Sequence, residues 1–487
     1  MSRTTKPAVR RPGHRGWRGR GGGAVNYLDP VAEWRGTAVQ VCGLWPYGAG
    51  SGTPTIGVPL GRNLTSGATV CCDPISWFQR AALIHNPSAF VLGRPGLGKS
   101  TIVRRMALGL SGYGVMPLIF GDLRPDYVDL VRALGGQVIT LGRGRGYLNV
   151  LDPGAAGAAA ARLTGDARRA LDAEAHGRRL NTVSALVTIL RGAPPSDREE
   201  TILSSALLLL AERHDGVPVL SDLVRIIHEA PPELRVVALD RGDMDRYRDV
   251  TEPLEASLMA LLGQGRLGEL FARPTSENMR HDRPVVFDVS DIDDGEVQLQ
   301  AAALLACWSA GFQAVEAAQA LAEAGLEPRR RYFVILDELW RVLRAGRGLV
   351  DRVDALTRLN RARGVGMAMI THTMDDLLAL PHPEDRAKAT GFVERAGMVI
   401  CGGLPRKEMP SLSQVVGLSS VEQTLLDGWA TPPTWDSDLG KEADPPGRGN
   451  FLIKVGGRPG IPVHVDLTTA ELAINDTNRI WKEGGPR

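Results

Sequence analysis

Short, continuously apolar segments alternate with helix-like segments along most of the chain after residue 87. These segments lack the polar–apolar alternation of half-exposed strands, so they predict strands that are buried on both faces of a sheet. We predict strands at 89–93, 116–122, 137–142, 284–290, 332–338, 365–373, 397–403 and 450–457. Strands separated by helices are typical of an α/β fold with a mainly parallel, doubly wound sheet.

The alternation stops between residues 155 and 281, where helix-favouring runs such as "DREETILSSALLLLAERH" follow one another without a convincing strand. We therefore predict an all-α insertion at 155–281 within a sheet domain formed by 76–154 and 282–457. Short β-like runs predict a small N-terminal β element at 31–75. A strand-helix extension is expected at 458–487.

The first thirty residues, 1–30, form a basic tail with too little apolar surface to offset the entropy of ordering. Seven Lys or Arg residues fall within the first twenty positions, and no acidic residue precedes Asp29. Two interpretations stay open for this tail. It is either a solubilising end or a contact for nucleic acid or an anionic membrane surface.

Overall composition narrows the class of protein. The 487 residues carry a formal net charge of +2, so the chain as a whole has no basic footprint for nucleic acid. Five cysteines without a C-x-x-C pair favour a reduced cytoplasm over a zinc or disulfide framework. The most apolar runs, 205–211 and 301–308, are shorter than the ~20 residues of a membrane span. We expect any membrane contact to be peripheral.

The segment "GRPGLGKS" at 93–100 matches the pattern G-x-x-x-x-G-K-[ST] between a predicted strand and a predicted helix. Backbone N–H groups of such a loop point at an anion, and side chains there would block its approach. The lysine contributes a point charge to the β- and γ-phosphates, and the hydroxyl contributes a ligand to Mg²⁺. A plain glycine turn is the alternative. The nucleotide-binding candidates are Gly93, Arg94, Pro95, Gly96, Leu97, Gly98, Lys99, Ser100 and Thr101.

Two adjacent acids, Asp337 and Glu338, follow the predicted strand at 332–338. We expect Asp337 to bind Mg²⁺ together with Ser100, and Glu338 to take a proton from the attacking water. Acids in this position could instead serve only to cap the next helix. Because the N-K-x-D signature of G proteins is absent, ATP is the expected ligand.

Three further residues are catalytic candidates. His372 lies at the carboxyl end of a predicted strand, where α/β sheets face their ligands, so it could donate a hydrogen bond to the γ-phosphate. Arg361 and Arg363 precede that strand and could act as arginine fingers toward a neighbouring subunit's ATP. The alternatives are a solvated histidine and a pair of cations at a helix end.

In its ordered motifs, the chain resembles the HerA–FtsK superfamily of motor ATPases, most closely the type IV secretion ATPases of conjugation machines. Five pieces match in order: the phosphate loop, "IFGDLRPDYVDLVRALGGQVITLG", "LNVLDPG", "GRLGELF…PVVFDVSDI" and "VILDELWRVL…ALTRLNRARGVGMAMITHTMDDL". The match covers about residues 57 to 477. Members place an acid after the second strand, here Asp122. Many have glutamine where His372 stands.

The resemblance implies a RecA-like P-loop ATPase that uses ATP and Mg²⁺ (Walker A at the phosphate loop, Walker B at Asp337–Glu338). It also implies a hexameric ring on the cytoplasmic side of a secretion channel, partnered by channel or coupling proteins. Fewer than 90 residues precede the motor, whereas secretion ATPases of this class usually have a long N-terminal domain.

We therefore expect an ATP-hydrolysing motor that energises assembly or transport in a conjugative secretion apparatus. A soluble double-stranded DNA translocase of the same superfamily is the first alternative. A nucleotide-binding scaffold without turnover is the second, from a different functional class.

Overall fold

The structure is a computed structural model, and it describes residues 54–262, 267–357, 364–433, 435–436, 441–442 and 444–474. All of these belong to one compact unit that begins at Gly50. Predictions for the basic tail and for Arg361 and Arg363 lie outside the described residues.

The centre of this unit is a sheet of eleven described strands in the order β2-β1-β13-β12-β9-β3-β8-β7-β4-β6-β5. Seven neighbouring strands, from β9 to β5 in that order, are parallel. Their bounds are β3 Ser88–Leu92, β4 Val115–Asp122, β5 Gln137–Thr140, β6 Val285–Asp288, β7 Arg331–Leu336, β8 Val365–Ile370 and β9 Met398–Cys401. This is the α/β class with a mainly parallel sheet that the apolar pattern predicts.

Four antiparallel strands extend the parallel block beyond β9. They are β12 Asn450–Lys454, β13 Ile461–Val465, β1 Pro59–Asn63 and β2 Thr69–Cys71. The strand predicted at 450–457 is therefore present but runs antiparallel, because it enters a hairpin with β13. Within the stretch predicted as a small β element, the described strands join the main sheet. A separate two-stranded ribbon pairs β10 Trp435–Asp436 with β11 Lys441–Glu442.

The parallel strands are apolar throughout because both of their faces are covered. In β3, Phe90 and Leu92 belong to one hydrophobic core, whereas Ala89 and Val91 belong to another. The same alternation divides β4 and β7 between the two cores. Side chains on a strand point alternately to opposite faces, so a strand between two cores needs apolar residues at every position.

Helices α1 Pro74–Gln79, α2 Lys99–Gly112 and α3 Val128–Ala133 contribute to the core that contains Val91. The core that contains Phe90 includes these helices: α5 Gly165–Arg191, α6 Asp197–Arg213, α7 Leu220–His228, α8 Pro232–Ala238, α9 Met244–Leu262, α10 Gly268–Phe271 and α11 Val297–Glu323. The buried alanines of α4 Gly154–Ala160 pack with residues of α5 and α11 in a smaller, third cluster. The described part of 155–281 thus contains helices and no strand. The domain boundaries themselves stay predictions.

The remaining helices follow the later strands: α12 Leu339–Arg344, α13 Leu349–Thr357, α14 Met374–Leu378, α15 Pro383–Arg395, α16 Met409–Val415, α17 Ser420–Trp429 and α18 Thr469–Ile474. A 3₁₀ turn spans Arg406–Glu408. Among the described helices, α11 alone is long and apolar enough to cross a membrane, but 94% of its most apolar window is buried inside the protein. It has the burial of a core helix.

Four parallel strands bring the candidate chemistry to one edge of the sheet. These strands are neighbours in the order β3-β8-β7-β4. Strand β3 ends just before the phosphate loop (residues 93–100), β8 ends just before His372, and β7 ends just before Asp337. Strand β4 ends at Asp122. Parallel strands have their carboxyl ends at the same edge, so residues far apart in the chain meet there.

Candidate functional site

The phosphate loop connects the end of β3 at Leu92 to the start of α2 at Lys99. Its backbone needs glycine at two positions, since Gly96 has φ 80° and Gly98 has φ 98°, in the left-handed region. Gly93 meets a different requirement. A Cβ at that position would lie 3.2 Å from Cα of Gly402 on the neighbouring strand connection.

Backbone hydrogen bonds hold the loop against three neighbouring strand ends. They run from Gly93 N–H to His372 O (2.9 Å), from Arg94 N–H to Gly403 O (3.0 Å) and from Gly449 N–H to Leu97 O (3.1 Å). Because the N–H groups of Gly93 and Arg94 are used inside the protein, the free donors of the loop lie further along, toward the helix start.

A cleft of about 790 Å³ opens beside the loop. Its lining from the loop and α2 comprises Pro95, Gly96, Gly98, Lys99, Ser100, Thr101 and Arg104. The other lining side chains come from strand ends, loops and helix α3, and include Asp122, Arg124, Asp126, Asp129, Arg132, Asp337, Glu338, His372 and Arg448. Of the predicted nucleotide-binding residues, Gly93, Arg94 and Leu97 do not line the cleft, since Leu97 is in the interior and the Arg94 guanidinium donates to Ala430 O.

Lys99 is buried at the start of α2, where its Nζ donates to Gly93 O at 2.7 Å and lies 3.0 Å from Nδ1 of His372. Burial lowers the pKa of its ammonium, although the charges of Asp337 and Glu338 act in the opposite direction. The lysine is thus held in the cleft by the backbone of its own loop and by the imidazole of His372.

Asp337 accepts a hydrogen bond from the backbone N–H of Glu338 at 2.8 Å and lies 3.3 Å from the hydroxyl of Tyr127. Desolvation, followed by the neighbouring Glu338 charge, raises the pKa of the Asp337 carboxyl to about 7. A carboxyl in these surroundings is more easily ionised when a cation lies beside it.

Glu338 is the first residue after Asp337 and has φ 52°, in the left-handed region. Its Oε2 accepts from the indole N–H of Trp340 at 2.5 Å and lies 3.4 Å from Nε2 of His372. Burial opposes ionisation of this carboxyl. The contacts with His372, Trp340 and Arg341 outweigh burial and lower the pKa to about 2.

His372 bridges the lysine and the glutamate. When the Lys99 ammonium donates to Nδ1, the ring carries its hydrogen on Nε2 and can donate it to Glu338. One imidazole therefore connects the phosphate loop with the acid that follows β7.

A second group of acids lies at the end of β4. Asp122 is buried and accepts from the backbone N–H groups of Asp126 and Tyr127. Burial, which is the largest cause, raises the pKa of Asp126, and a hydrogen bond with the Ser100 hydroxyl opposes this rise. The sequence singled out Asp122 by resemblance, but not Asp126 or Tyr127. The only signal for those two was their position just after a buried strand.

The donors around Ser100 and Asp337 fit Mg²⁺ bound with a triphosphate. In the part of the chain that the structure describes, no group of three or more His, Cys, Asp or Glu side chains is arranged to hold a metal by itself. Mg²⁺ is commonly held by one or two carboxylates, waters and substrate phosphates. A hydroxyl and a desolvated carboxyl beside an anion-binding loop are such a donor set.

The mainly parallel sheet and the phosphate loop at its carboxyl edge define a P-loop NTPase fold. The structure of VirB4 from Thermoanaerobacter pseudethanolicus superposes on this chain with a TM-score of 0.62 and 20% sequence identity, over 87% of this chain and 100% of that one. The family resemblance seen in the sequence is thus confirmed at the level of the fold.

Structures of the bacterial conjugative coupling protein TrwB are also similar, at lower scores. Its complex with the ATP analogue ADPNP gives a TM-score of 0.49 and 13% identity, over 80% of this chain and 87% of that one. The complex with ADP and Mg²⁺ gives 0.48 and 14%, over 79% and 85%. Because the TM-scores of the two TrwB complexes are below 0.5, the conclusion about the fold rests on the comparison with VirB4. No protein-family model and no curated protein sequence matches the chain.

Proposed function

We propose that this chain hydrolyses ATP and acts as a motor of a type IV secretion or conjugation apparatus. The observation that carries the proposal is that Lys99, Asp337 and Glu338 line the same cleft, although long stretches of chain separate the phosphate loop from the two acids. A cleft with a phosphate loop, a metal-binding acid and a base contains the parts that phosphoryl transfer to water requires.

In the proposed reaction, water attacks the γ-phosphorus, and the bond from that phosphorus to the β,γ-bridging oxygen breaks. The N–H groups from Gly96 to Ser100 and the Lys99 ammonium hold the phosphates. Glu338 takes the proton that the attacking water loses. Ser100 and Asp337 would hold Mg²⁺, which neutralises charge on the phosphate oxygens when bound.

His372 is the candidate sensor of the γ-phosphate. It contacts both Lys99 and Glu338, so an anion that draws Lys99 toward itself would also release the ring. Arg361 and Arg363 stay candidates for arginine fingers acting on a neighbouring subunit.

The setting of the motor is proposed from the shared fold of VirB4 and from the ordered motifs of the HerA–FtsK superfamily. On that basis the chain forms a hexameric ring in the cytoplasm, at the inner face of the membrane. There it acts with secretion-channel or coupling proteins, and any contact with the membrane is peripheral.

Phosphate release from ATP and from GTP, with Mg²⁺ and with EDTA, tests the enzymatic part. We expect Mg²⁺-dependent turnover with ATP preferred. Binding of ATP without turnover would instead support a scaffold. Co-purification from native membranes tests the setting, and association with a secretion complex is the expected result.

The phosphate-release assay, run with and without duplex DNA, separates a secretion motor from a double-stranded DNA translocase. A translocase predicts strong stimulation by duplex DNA that falls steeply as salt is raised, because phosphate contacts release counterions. We expect duplex DNA to stimulate phosphate release weakly or not at all. We also expect the protein to co-purify with the membrane-associated complex.

A further inference from the structure

The candidate base, Glu338, has an unusual backbone for its position. It occupies the left-handed region, with φ 52° and ψ 36°, immediately before helix α12. Residues with a Cβ adopt this conformation at a cost in free energy, and such residues persist where surrounding contacts hold them. At Glu338, side-chain contacts hold the residue in place.

One such contact comes from the first turn of α12. The indole N–H of Trp340 donates to Oε2 of Glu338 at 2.5 Å. The indole ring is itself fixed, because the guanidinium groups of Arg341 and Arg344 each lie 5.0 Å from its centre. A cation over an aromatic face is attracted by the ring, so the two arginines restrict its rotation.

A second contact reaches the same oxygen. Nε2 of His372 lies 3.4 Å from Oε2 of Glu338. Among the described residues, no hydrogen bond is made to the other oxygen, Oε1. Nε of Arg341 lies 3.9 Å from Oε2 as well. These contacts therefore fix one carboxylate oxygen and leave its twin without a hydrogen bond to a described residue.

We propose that Trp340 is a positioning residue for hydrolysis: its indole N–H fixes Oε2 of Glu338, so that Oε1 is presented to the attacking water. This inference rests on the proposed ATPase function and adds a residue to it. A general base must lie within hydrogen-bond reach of the proton that it removes, so a carboxylate free to rotate would spend less time in the productive geometry.

The test is a comparison of Trp340→Phe with the wild-type chain. Phenylalanine keeps an aromatic ring near both arginines but has no N–H. We expect kcat to fall about ten- to hundredfold, the range for losing a hydrogen bond to a charged group. KM and the dissociation constant of ADP should stay within about twofold, because Trp340 does not line the cleft.

Trp308→Phe is the matched control. Trp308 is fully buried in α11, and its indole nitrogen has no hydrogen-bond partner among the described residues. The substitution removes the same N–H and the same volume without breaking a hydrogen bond. Its kcat should stay within about twofold of wild type, even where the smaller ring lowers the melting temperature.

A double-mutant cycle with Glu338→Gln separates positioning from general structural damage. Under single-turnover conditions, adding Trp340→Phe to Glu338→Gln should cause less than a twofold further loss, because the base on which Trp340 acts is already absent. Equal losses in both backgrounds would overturn the proposal. An unchanged kcat for Trp340→Phe alone would also overturn it, as would loss of folding or of ADP binding in that variant. Absence of turnover in the wild-type chain would instead reject the proposed function.

Discussion

The Nζ atom of Lys99 lies 3.0 Å from Nδ1 of His372, which joins the phosphate loop to the strand that ends beside it. The other ring nitrogen of His372 faces Glu338. The lysine, imidazole and carboxylate thus form one polar chain across the cleft. A triphosphate would compete for Lys99, so its binding at the loop would also change the contacts of the candidate base, Glu338.

Lys99→Ala should abolish hydrolysis and weaken nucleotide binding. A hydrogen bond to a charged group contributes about 1.5–3 kcal/mol, which corresponds to an affinity loss of about ten- to hundredfold. Calorimetric titration with ADP measures the nucleotide affinity, and phosphate release measures turnover. Lys388→Ala is the control, since Lys388 pairs with Asp351 on the surface. Wild-type affinity in the Lys99 variant would contradict the phosphate-binding role.

Glu338→Gln should bind ATP nearly as well as wild type but hydrolyse it about 10²- to 10⁴-fold more slowly, the range for loss of a general base. Glutamine keeps the shape of the side chain and can accept from Trp340, but it cannot take the proton. Quenched-flow measurement of a single turnover gives the chemical rate. Glu384→Gln, at an exposed position in the first turn of α15, is the matched control. A chemical step as fast as wild type would assign the base elsewhere.

The parallel strands could be predicted because burial on both faces leaves an uninterrupted apolar run. The strand predicted at 332–338 ends in the structure at Leu336, since Asp337 and Glu338 turn away toward the cleft. The strand predicted at 365–373 ends at Ile370 for a similar reason. Polar residues at strand tips therefore belong to the site, and an apolar pattern cannot separate them from the strand.

The antiparallel edge was harder to predict. Strand β1 has the sequence "PLGRN", which contains proline, glycine and only one large apolar residue. It is a strand because β13 pairs with it from nearly the opposite end of the chain. Likewise, the contacts of His372 and Tyr127 with the acids after β7 depend on how three loops fold beside one another. The pattern of apolar and polar residues along one segment contains no information on such contacts between segments.

Gly311→Ala should destabilise the protein, although alanine is the better helix former. A Cβ at position 311 of α11 would overlap the ring of Phe120 in β4. That ring is fully buried and packs edge-on against Phe287 and Phe312, so it has little room to move. We expect a loss of about 1–3 kcal/mol in the free energy of unfolding.

Gly177→Ala in α5 is the matched comparison. Position 177 is exposed, and a Cβ there meets nothing within 4 Å. The same substitution should therefore stabilise the chain by about 0.5–1 kcal/mol, through helix propensity alone. Denaturant unfolding of both variants measures the two changes in the free energy of unfolding, which should have opposite signs. A neutral or stabilising Gly311→Ala would mean that α11 does not pack against the sheet as closely as described.

Glu408 should make the stability of the chain depend on pH. Its carboxyl is fully buried, and Oε2 accepts from the backbone N–H groups of Met374 and Asp375. Burial, together with the contact with the Asp375 side chain, raises the pKa of Glu408 from 4.5 to about 7. Between pH 4.5 and 7 the unfolded chain therefore has this group ionised while the folded chain keeps it protonated. The contribution of Glu408 to the free energy of unfolding therefore falls as pH rises through that window, and it is fully lost above pH 7.

Glu408→Gln removes this ionisation and keeps an oxygen for the two backbone donors. Relative to wild type, the variant should gain stability between pH 4.5 and 7 and hold that gain above pH 7, with a total difference on the order of 2 kcal/mol. Urea unfolding at pH 5, 6, 7 and 8 measures the difference. Glu394→Gln makes the same charge change at an exposed position of α15 and should not reproduce the trend. A difference between Glu408→Gln and wild type that stays constant from pH 5 to pH 8 would show that the Glu408 carboxyl is ionised in the folded chain throughout.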